Sequence, residues 1–322
     1  MMNIYASSGV ISTVEALLFY GDIDMNRRKT ISLTCLIKFI MSMPLILLIA
    51  SPMAYAGLSI APGIQPDKVV TYKVINDTVL KLHIFNPIDH KAGDSKSAIV
   101  FFFGGGWTGG TPKQFYDQSQ YLASRGMVAI SAEYRIKSLH KTSPKEAVKD
   151  SKSAMRWLRA NAKELGINPQ MIAAGGGSAG GHVAIAAAVL KDFDEEGESA
   201  LVSARPDALA LFNPAFDNGP GGVGYDRVQA YWEKFSPLHN LGKNVPPTIV
   251  FLGTKDKLIP VETAELFKQK MENNGRRCDL FLYEGHIHGF FNKYKKINKY
   301  EETLFELDKF LVSLGYLSPN PI

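Results

Sequence analysis

A glycine-rich string in the middle of the chain constrains the fold more than any other feature. Residues 175–181 read Gly-Gly-Gly-Ser-Ala-Gly-Gly, between an apolar run at Met171–Ala174 and an alanine-rich segment at His182–Leu190. The apolar run is typical of a buried strand, and the alanine-rich segment predicts a buried helix. The string therefore predicts a sharp strand-to-helix turn, which is where α/β proteins place functional groups.

The order of the remaining patterns supports an α/β fold. Two β-branched runs joined by a turn at Asn76-Asp77 predict an antiparallel hairpin, and strands then alternate with helices. The strands are predicted at Val69–Ile75, Thr78–Phe85, Ala98–Phe103, Met127–Glu133, Asp207–Phe212, Thr248–Leu252 and Asp279–Tyr283. The longer helices are predicted from Ser143 to near Gly166, at Val261–Asn274 and at Tyr300–Leu314. This order predicts a mostly parallel central sheet with helices on both faces.

The glycine string allows three interpretations. Residues 176–180 match G-x-S-x-G, the nucleophile elbow, and residues 175–180 match G-x-G-x-x-G, the dinucleotide-binding fingerprint. The glycines could also serve only close packing of helix on strand. The fingerprint requires an acidic residue about 20 positions on, at the end of the next strand. Asp192 and Asp194 lie in that range, but they follow the helical segment with no strand pattern between.

The elbow interpretation requires an acid and then a histidine, each in a loop after a later strand. Asp256 follows the strand at 248–252, and His286 and His288 follow the strand at 279–283. A glycine run at 104–106 follows an earlier strand, where its N–H groups could approach an anionic oxygen. The joint occurrence of these features favours nucleophilic catalysis by Ser178.

With these residues the chain resembles the α/β-hydrolase superfamily, in its hormone-sensitive-lipase-like and acetyl-esterase branch. The resemblance runs from about Val69 to Leu317 and includes Tyr134-Arg135 and the string Gly-Ile-Asn-Pro at 166–169. Phe103 stands where the branch usually has histidine, and Gly177 stands where it often has aspartate. Glycine at the second position is familiar among sugar-ester deacetylases.

The resemblance implies hydrolysis of carboxylic esters through an acyl-enzyme. Ser178 is the expected nucleophile, His288 the general base and Asp256 the residue that orients it. The family places histidine directly before Gly-Phe, which favours His288 over His286. The oxyanion hole is expected from the backbone N–H groups of Gly105, Gly106 and Ala179.

The substrate expected from this resemblance is a short-chain ester, with acetylated xylan-type carbohydrate favoured. Residues 216–245 have little periodicity and predict a small insertion or lid over the site. The candidate pocket-lining aromatic residues are Trp107, Tyr225, Tyr231, Trp232 and Phe290. The alternatives are an amide or formamide hydrolase with the same triad, a nucleotide-binding oxidoreductase that uses Gly175–Gly180, and a catalytically silent binding protein.

The start of the chain predicts export. Residues 26–29 are basic, residues 31–50 are mostly apolar, and Ala54-Tyr55-Ala56 precedes Gly57. These are the three parts of a secretory signal peptide, so we expect residues 1–56 to be removed, with Met25 as the true start. Residues 57–322 then form one catalytic domain, periplasmic or secreted. An uncleaved membrane anchor is the alternative.

Composition excludes other classes of function. With 46% hydrophobic and 21% charged residues, the chain is that of an ordinary globular protein. The net charge of +5 and the basic run at 293–299 indicate a solvated surface, so no nucleic-acid partner is expected. Cys35 and Cys278 cannot make a disulfide framework. His286 and His288 lack a third ligand nearby, so neither a metal nor a cofactor is expected.

Overall fold

A computed structural model describes residues 63–319, and this part of the chain contains one eight-stranded sheet. The strands are β1 Lys68–Ile75, β2 Thr78–Phe85, β3 Lys96–Phe102, β4 Val128–Ala132, β5 Ile167–Gly177, β6 Ala208–Phe212, β7 Thr248–Gly253 and β8 Cys278–Tyr283. Their order is β1-β2-β4-β3-β5-β6-β7-β8. β2 is antiparallel to β1 and to β4, and the other neighbours are parallel. The predicted mostly parallel sheet is confirmed.

Helices cover both faces of this sheet. They are α1 Tyr116–Ser124, α2 Lys137–His140, α3 Pro144–Ala160, α4 Ala179–Val189, α5 Tyr225–Val228, α6 Trp232–Phe235, α7 Val261–Asn273 and α8 Tyr300–Ser313, with 3-10 turns at Pro112–Phe115 and Pro237–His239. The helices α3, α4 and α7 pack on one face, and α1 and α8 pack on the other. Along β3, Val100 and Phe102 enter the first core, and Ile99 and Phe101 enter the second. The strand is therefore apolar from Ala98 to Phe102, because both of its faces are buried there.

Helix α3 and strand β5 differ in extent from the sequence prediction, and one longer helix was not predicted. Helix α3 ends at Ala160 rather than near Gly166, and β5 begins at Ile167, four residues before Met171. Helix α1 has no counterpart among the predicted elements. Its buried positions include Asp117, Gln118 and Ser119, so the helix has no apolar stripe that a periodicity argument could detect.

A buried ionic cluster ties the first strand to α3 and to the segment that follows β4. The Asp150 carboxylate is fully buried and accepts hydrogen bonds from Lys73 Nζ and Arg135 Nη2, each at 2.7 Å. Glu195 Oε2 lies 2.8 Å from Lys73 Nζ. Burial alone would raise the pKa of Glu195, but hydrogen bonds and charges from Lys73, Lys149 and Arg135 lower it to about 2.

The segment at 216–245 is anchored in the core rather than free above the site. Phe216, Val228, Phe235 and Leu238 are each at most 2% exposed and join the first core. The predicted signal peptide at residues 1–56 lies outside the described residues. Within residues 63–319, no helix has the length and apolar character that crossing a membrane requires.

Candidate active site

Ser178 lies at a sharp turn between β5 and α4. Its φ of 55° and ψ of −119° put a non-glycine residue in a backbone region that side chains disfavour. The turn is held by the Ser178 N–H, which donates to the Phe212 carbonyl oxygen at 2.9 Å. A Cβ at Gly176 would lie 2.5 Å from the Phe102 carbonyl oxygen, and a Cβ at Gly180 would lie closer still. The glycines are therefore required sterically by the turn, as in a nucleophile elbow.

Ser178, His288 and Asp256 form one chain of hydrogen bonds. The Ser178 hydroxyl lies 2.9 Å from His288 Nε2, and His288 Nδ1 lies 2.6 Å from Asp256 Oδ2. The Asp256 side chain is fully buried, while the His288 ring is 25% exposed. Asp256 Oδ1 also accepts the N–H groups of Leu258 and Ile259, at 2.8 and 3.1 Å. The carboxylate is thus fixed by its own loop and faces the imidazole.

His286 lies apart from this chain of hydrogen bonds. Its ring packs against Tyr283 and Phe290, with centroids 6.4 and 5.8 Å away. Its carbonyl oxygen accepts the N–H of Lys255 at 2.9 Å. Among the two histidines of this loop, the geometry brings His288 to Ser178 and leaves His286 supporting the loop.

The glycine run at 104–106 passes beside the nucleophile. A Cβ at Gly104 would lie 3.4 Å from the Ser178 Cβ. The N–H groups of Gly105 and Gly106 donate to no other residue in the described range, so both can meet a substrate oxygen. Ala179 is the first residue of α4, where an N–H group has no helical partner. These positions suit the predicted oxyanion hole, whose role stays a prediction.

Ser178 and His288 line an open cavity of about 790 Å³. The glycine run forms part of its wall, and Phe291 and Leu258 contribute apolar surface. The polar and charged side chains that line it and that sequence reasoning missed are Gln114, Asn213, Asp226, Arg227, Lys257, Asn292 and Lys295.

Comparison with solved structures decides the family. Esterase 2 of Thermogutta terrifontis in its apo form is 42% identical, with a TM-score of 0.77. The match covers 80% of this chain and 98% of that protein. The chain belongs to the α/β-hydrolase esterase family.

Other comparisons agree with this membership. A family model described as BD-FAE matches residues 82–208, and the dienelactone hydrolase family model matches residues 221–307. Esterase LipC of Mycobacterium tuberculosis is 28% identical over 60% of this chain and 52% of its own length. The acetylxylan esterase of Xylanibacter ruminicola is 26% identical over 78% of this chain and 52% of its own length. The chain thus spans about half the length of the curated relatives it matches.

The structure does not bring the predicted aromatic residues to this cavity. None of Trp107, Tyr225, Tyr231, Trp232 and Phe290 lines the cavity at Ser178. Trp107 and Phe290 are 2% and 0% exposed, because they fill the cores beneath their loops. Tyr225 and Trp232 are partly buried and pack against each other at 6.4 Å.

A chain of side-chain amides links the glycine run at 104–106 to the loop that carries His288. Gln114 Oε1 accepts the Gly104 N–H at 2.6 Å, and Gln114 Nε2 donates to Asn292 Oδ1 at 2.9 Å. Asn292 Nδ2 in turn donates to the Gly289 carbonyl oxygen at 2.8 Å. On the other side, the Gly289 N–H donates to Asn213 Oδ1 at 2.8 Å. Asn213 directly follows β6, so the rule that functional groups follow strands could have found it.

The dinucleotide interpretation fails on topology. The strand after α4 is β6, and Asn213 rather than an acid follows it. Asp192 and Asp194 both precede β6, and Asp194 pairs with Lys152 and Arg156. The acid that the fingerprint requires is therefore not at the end of that strand.

The insertion contributes to the site through one stretch. Residues 221–224, Asp226 and Arg227 line the cavity, and the apolar residues Phe216, Val228, Phe235 and Leu238 pack in the first core. Arg227 Nη1 donates to the Gly106 carbonyl oxygen at 2.5 Å, and its guanidinium lies 5.1 Å from the Trp107 ring centroid. The insertion thus forms one wall of the cavity and supports the glycine run at 104–106.

Proposed function

We propose that this protein hydrolyses carboxylic esters of short-chain acids through an acyl-enzyme on Ser178. The observation that carries the proposal is the hydrogen-bonded sequence Ser178–His288–Asp256, with its serine open to the cavity. A nucleophile, a general base and an acid that orients the base, arranged in this way, are the groups that catalyse acyl transfer.

The hydrogen bonds among these three residues support the following proton transfers. Ser178 Oγ attacks the ester carbonyl carbon while its proton passes to His288 Nε2, 2.9 Å away. The His288 imidazolium then gives that proton to the departing alcohol oxygen. Water attacks the acyl-enzyme with His288 again as base, which releases the acid and restores the serine. Asp256 stabilises the imidazolium through the 2.6 Å bond to Nδ1.

The carbonyl oxygen becomes negative in the tetrahedral intermediate. N–H groups of Gly105, Gly106 and Ala179 are the donors proposed for it. In a known serine hydrolase, removal of one such donor costs about 3–4 kcal/mol of transition-state stabilisation. The positive end of α4 adds to this stabilisation, because the helix begins directly after the nucleophile.

The similar proteins support a short acyl group. Esterase 2 of T. terrifontis has been solved with propionate bound and with butyrate bound, at 41% and 42% identity to this chain. The acetylxylan esterase relative and Gly177 favour acetylated carbohydrate within this class. We therefore propose acetyl to butyryl esters, with acetylated xylan or xylose as the carbohydrate candidate.

The test is an acyl series combined with covalent labelling. We expect 4-nitrophenyl acetate and butyrate to be cleaved faster than the octanoate, with acetylated xylan assayed beside them. Esterase 2 of T. terrifontis is phosphorylated by paraoxon. We expect paraoxon to add one diethylphosphoryl group here and to abolish turnover. Ser178→Ala should abolish both the labelling by paraoxon and the ester turnover. Ser199→Ala, at an exposed position, should change neither the labelling nor the turnover. Labelling or turnover that survives Ser178→Ala contradicts the proposal.

We also propose that the protein is exported. The basic residues 26–29, the apolar residues 31–50 and the Ala-Tyr-Ala motif support cleavage before Gly57. Sequencing the amino terminus of the protein from periplasm and medium tests this. A mature chain that begins well upstream of Gly57 contradicts cleavage, and a membrane-bound full-length chain supports the anchor instead.

A further inference from the structure

The cavity at Ser178 has an uneven distribution of charge. Three cationic side chains line it, Lys257, Lys295 and Arg227, against one anionic side chain, Asp226. The Asp256 carboxylate is buried behind His288 and already accepts three hydrogen bonds. An anion in the cavity therefore meets an excess of positive charge.

The three cationic side chains differ in how many contacts they make with other groups of the protein. Arg227 donates a hydrogen bond to the Gly106 carbonyl oxygen and lies over the Trp107 ring. Lys295 Nζ donates to the His288 carbonyl oxygen at 2.7 Å, which leaves two of its three N–H groups. Within residues 63–319, the Lys257 ammonium makes no hydrogen bond or ion pair with another side chain. Lys257 is exposed and follows Asp256 directly.

The charged side chains also belong to different segments of the chain. Lys257 follows β7 and Lys295 follows β8, and these strands are neighbours in the sheet. The anionic side chain, Asp226, lies on the insertion at 216–245. The loops after β7 and β8 thus contribute two cations, whereas the insertion contributes Asp226 and Arg227, whose charges are opposite. Such an arrangement favours one orientation of a bound anion.

We propose that the preferred ester bears a second group, an ionised carboxylate, which Lys257 and Lys295 bind. This rests on the ester hydrolysis proposed above and narrows its substrate class. The class comprises half-esters of dicarboxylic acids, with the charge on the acyl side, and acyl esters of acidic alcohols, with the charge on the leaving group. The acyl group and the leaving group extend from different sides of the ester carbonyl, so the two classes are tested separately.

Two matched pairs of substrates distinguish a carboxylate on the acyl side of the ester from one on the alcohol side. On the acyl side, 4-nitrophenyl hemisuccinate is compared with 4-nitrophenyl butyrate, which has a methyl group in place of the carboxylate. On the alcohol side, 4-acetoxybenzoate is compared with phenyl acetate. The quantity measured is the ratio of kcat/KM for the acidic ester to that for its neutral partner. Comparing this ratio between variants cancels the intrinsic reactivity of each ester.

We expect Lys257→Gln to lower this ratio about two- to fivefold in at least one pair, the range of one exposed ion pair. Lys257→Glu should lower it further. Lys255→Gln is the matched control, because Lys255 is an exposed lysine of the same loop that does not line the cavity. Raising the ionic strength from 0.15 to 1 M should lower the wild-type ratio, since the Debye length falls from about 8 to 3 Å.

A ratio that is unchanged in Lys257→Gln for both pairs overturns the inference. An equal change in Lys255→Gln also overturns it, because the effect would then be the net charge of the surface. Either result leaves ester hydrolysis standing if the neutral esters are cleaved. Failure to cleave any ester and to react with paraoxon refutes the proposed function itself, so the two failures are distinguishable.

Discussion

The role assigned to Asp256 can be tested by replacing one carboxylate oxygen with an amide nitrogen. In Asp256→Asn, the Asn oxygen can keep the bonds from the Leu258 and Ile259 N–H groups, now 2.8 and 3.1 Å long. The NH₂ group then faces His288 Nδ1, where a carboxylate oxygen now lies at 2.6 Å. Because NH₂ only donates, Nδ1 must become the acceptor and the ring proton must move to Nε2. His288 can then no longer accept the Ser178 proton.

The expected loss is large in turnover and small in stability. The corresponding substitution in a known triad lowers kcat about 10,000-fold, about 5 kcal/mol of activation free energy. The unfolding free energy of Asp256→Asn should change by less than about 1 kcal/mol, because both loop bonds remain. Asp256→Ala should lose similar turnover but also about 1–3 kcal/mol of stability, at about 0.5–1.5 kcal/mol per lost bond.

The assay combines steady-state hydrolysis of 4-nitrophenyl butyrate with urea unfolding of each variant. Glu284→Gln, in the exposed part of the His288 loop, is the control and should retain wild-type kcat. A loss below about 30-fold in Asp256→Asn would show that the carboxylate does not set the histidine tautomer. Equal destabilisation by Asn and Ala would show that the loop bonds are not kept.

Three further substitutions test the parts around the triad. Gly180→Ala places a Cβ against the Phe102 carbonyl oxygen, so we expect loss of activity with about 3 kcal/mol or more of lost stability, measured by urea unfolding. Tyr134→Phe leaves the Phe103 carbonyl oxygen without its 2.7 Å bond, which should cost about 1–3 kcal/mol in the same assay. The pKa of Glu195 is lower in the folded protein than its ordinary value of 4.5, so the ionised carboxylate stabilises the folded state fully above pH 4.5. This stabilisation is lost as the pH falls toward about 2. The stability difference between wild type and Glu195→Gln should therefore shrink over that window, and a constant difference would contradict the cluster's assigned role.

The loops that carry the candidate triad could be predicted because they depend on topology and local motif, and the family resemblance then favoured His288 over His286. Ser178, Asp256 and His288 each follow a parallel strand, and such strands end at one edge of the sheet. A buried strand such as β3 can also be predicted from sequence, because it contains a continuous apolar run. The elbow glycines are detectable because few other residues fit so close to backbone atoms of a neighbouring strand.

The lining of the cavity could not be predicted, because it depends on the direction of side chains in irregular loops. Phe290 and Phe291 are adjacent, yet Phe291 lines the cavity and Phe290 does not. Nothing in the local sequence distinguishes them. Helix α1 was missed for a related reason: its buried positions mix polar and apolar side chains, and Asp117 pairs there with Lys293 from a distant loop. Contacts between segments far apart in sequence decide such positions.

The backbone at Ser178 has a consequence for protein engineering. Its φ of 55° costs a serine of order 1–3 kcal/mol, and glycine could adopt the same turn with little penalty. A chain with glycine at this position would therefore be more heat-resistant and unable to form an acyl-enzyme. Selection for thermal tolerance alone would favour that change, so libraries of stabilised variants must be screened for turnover at every round.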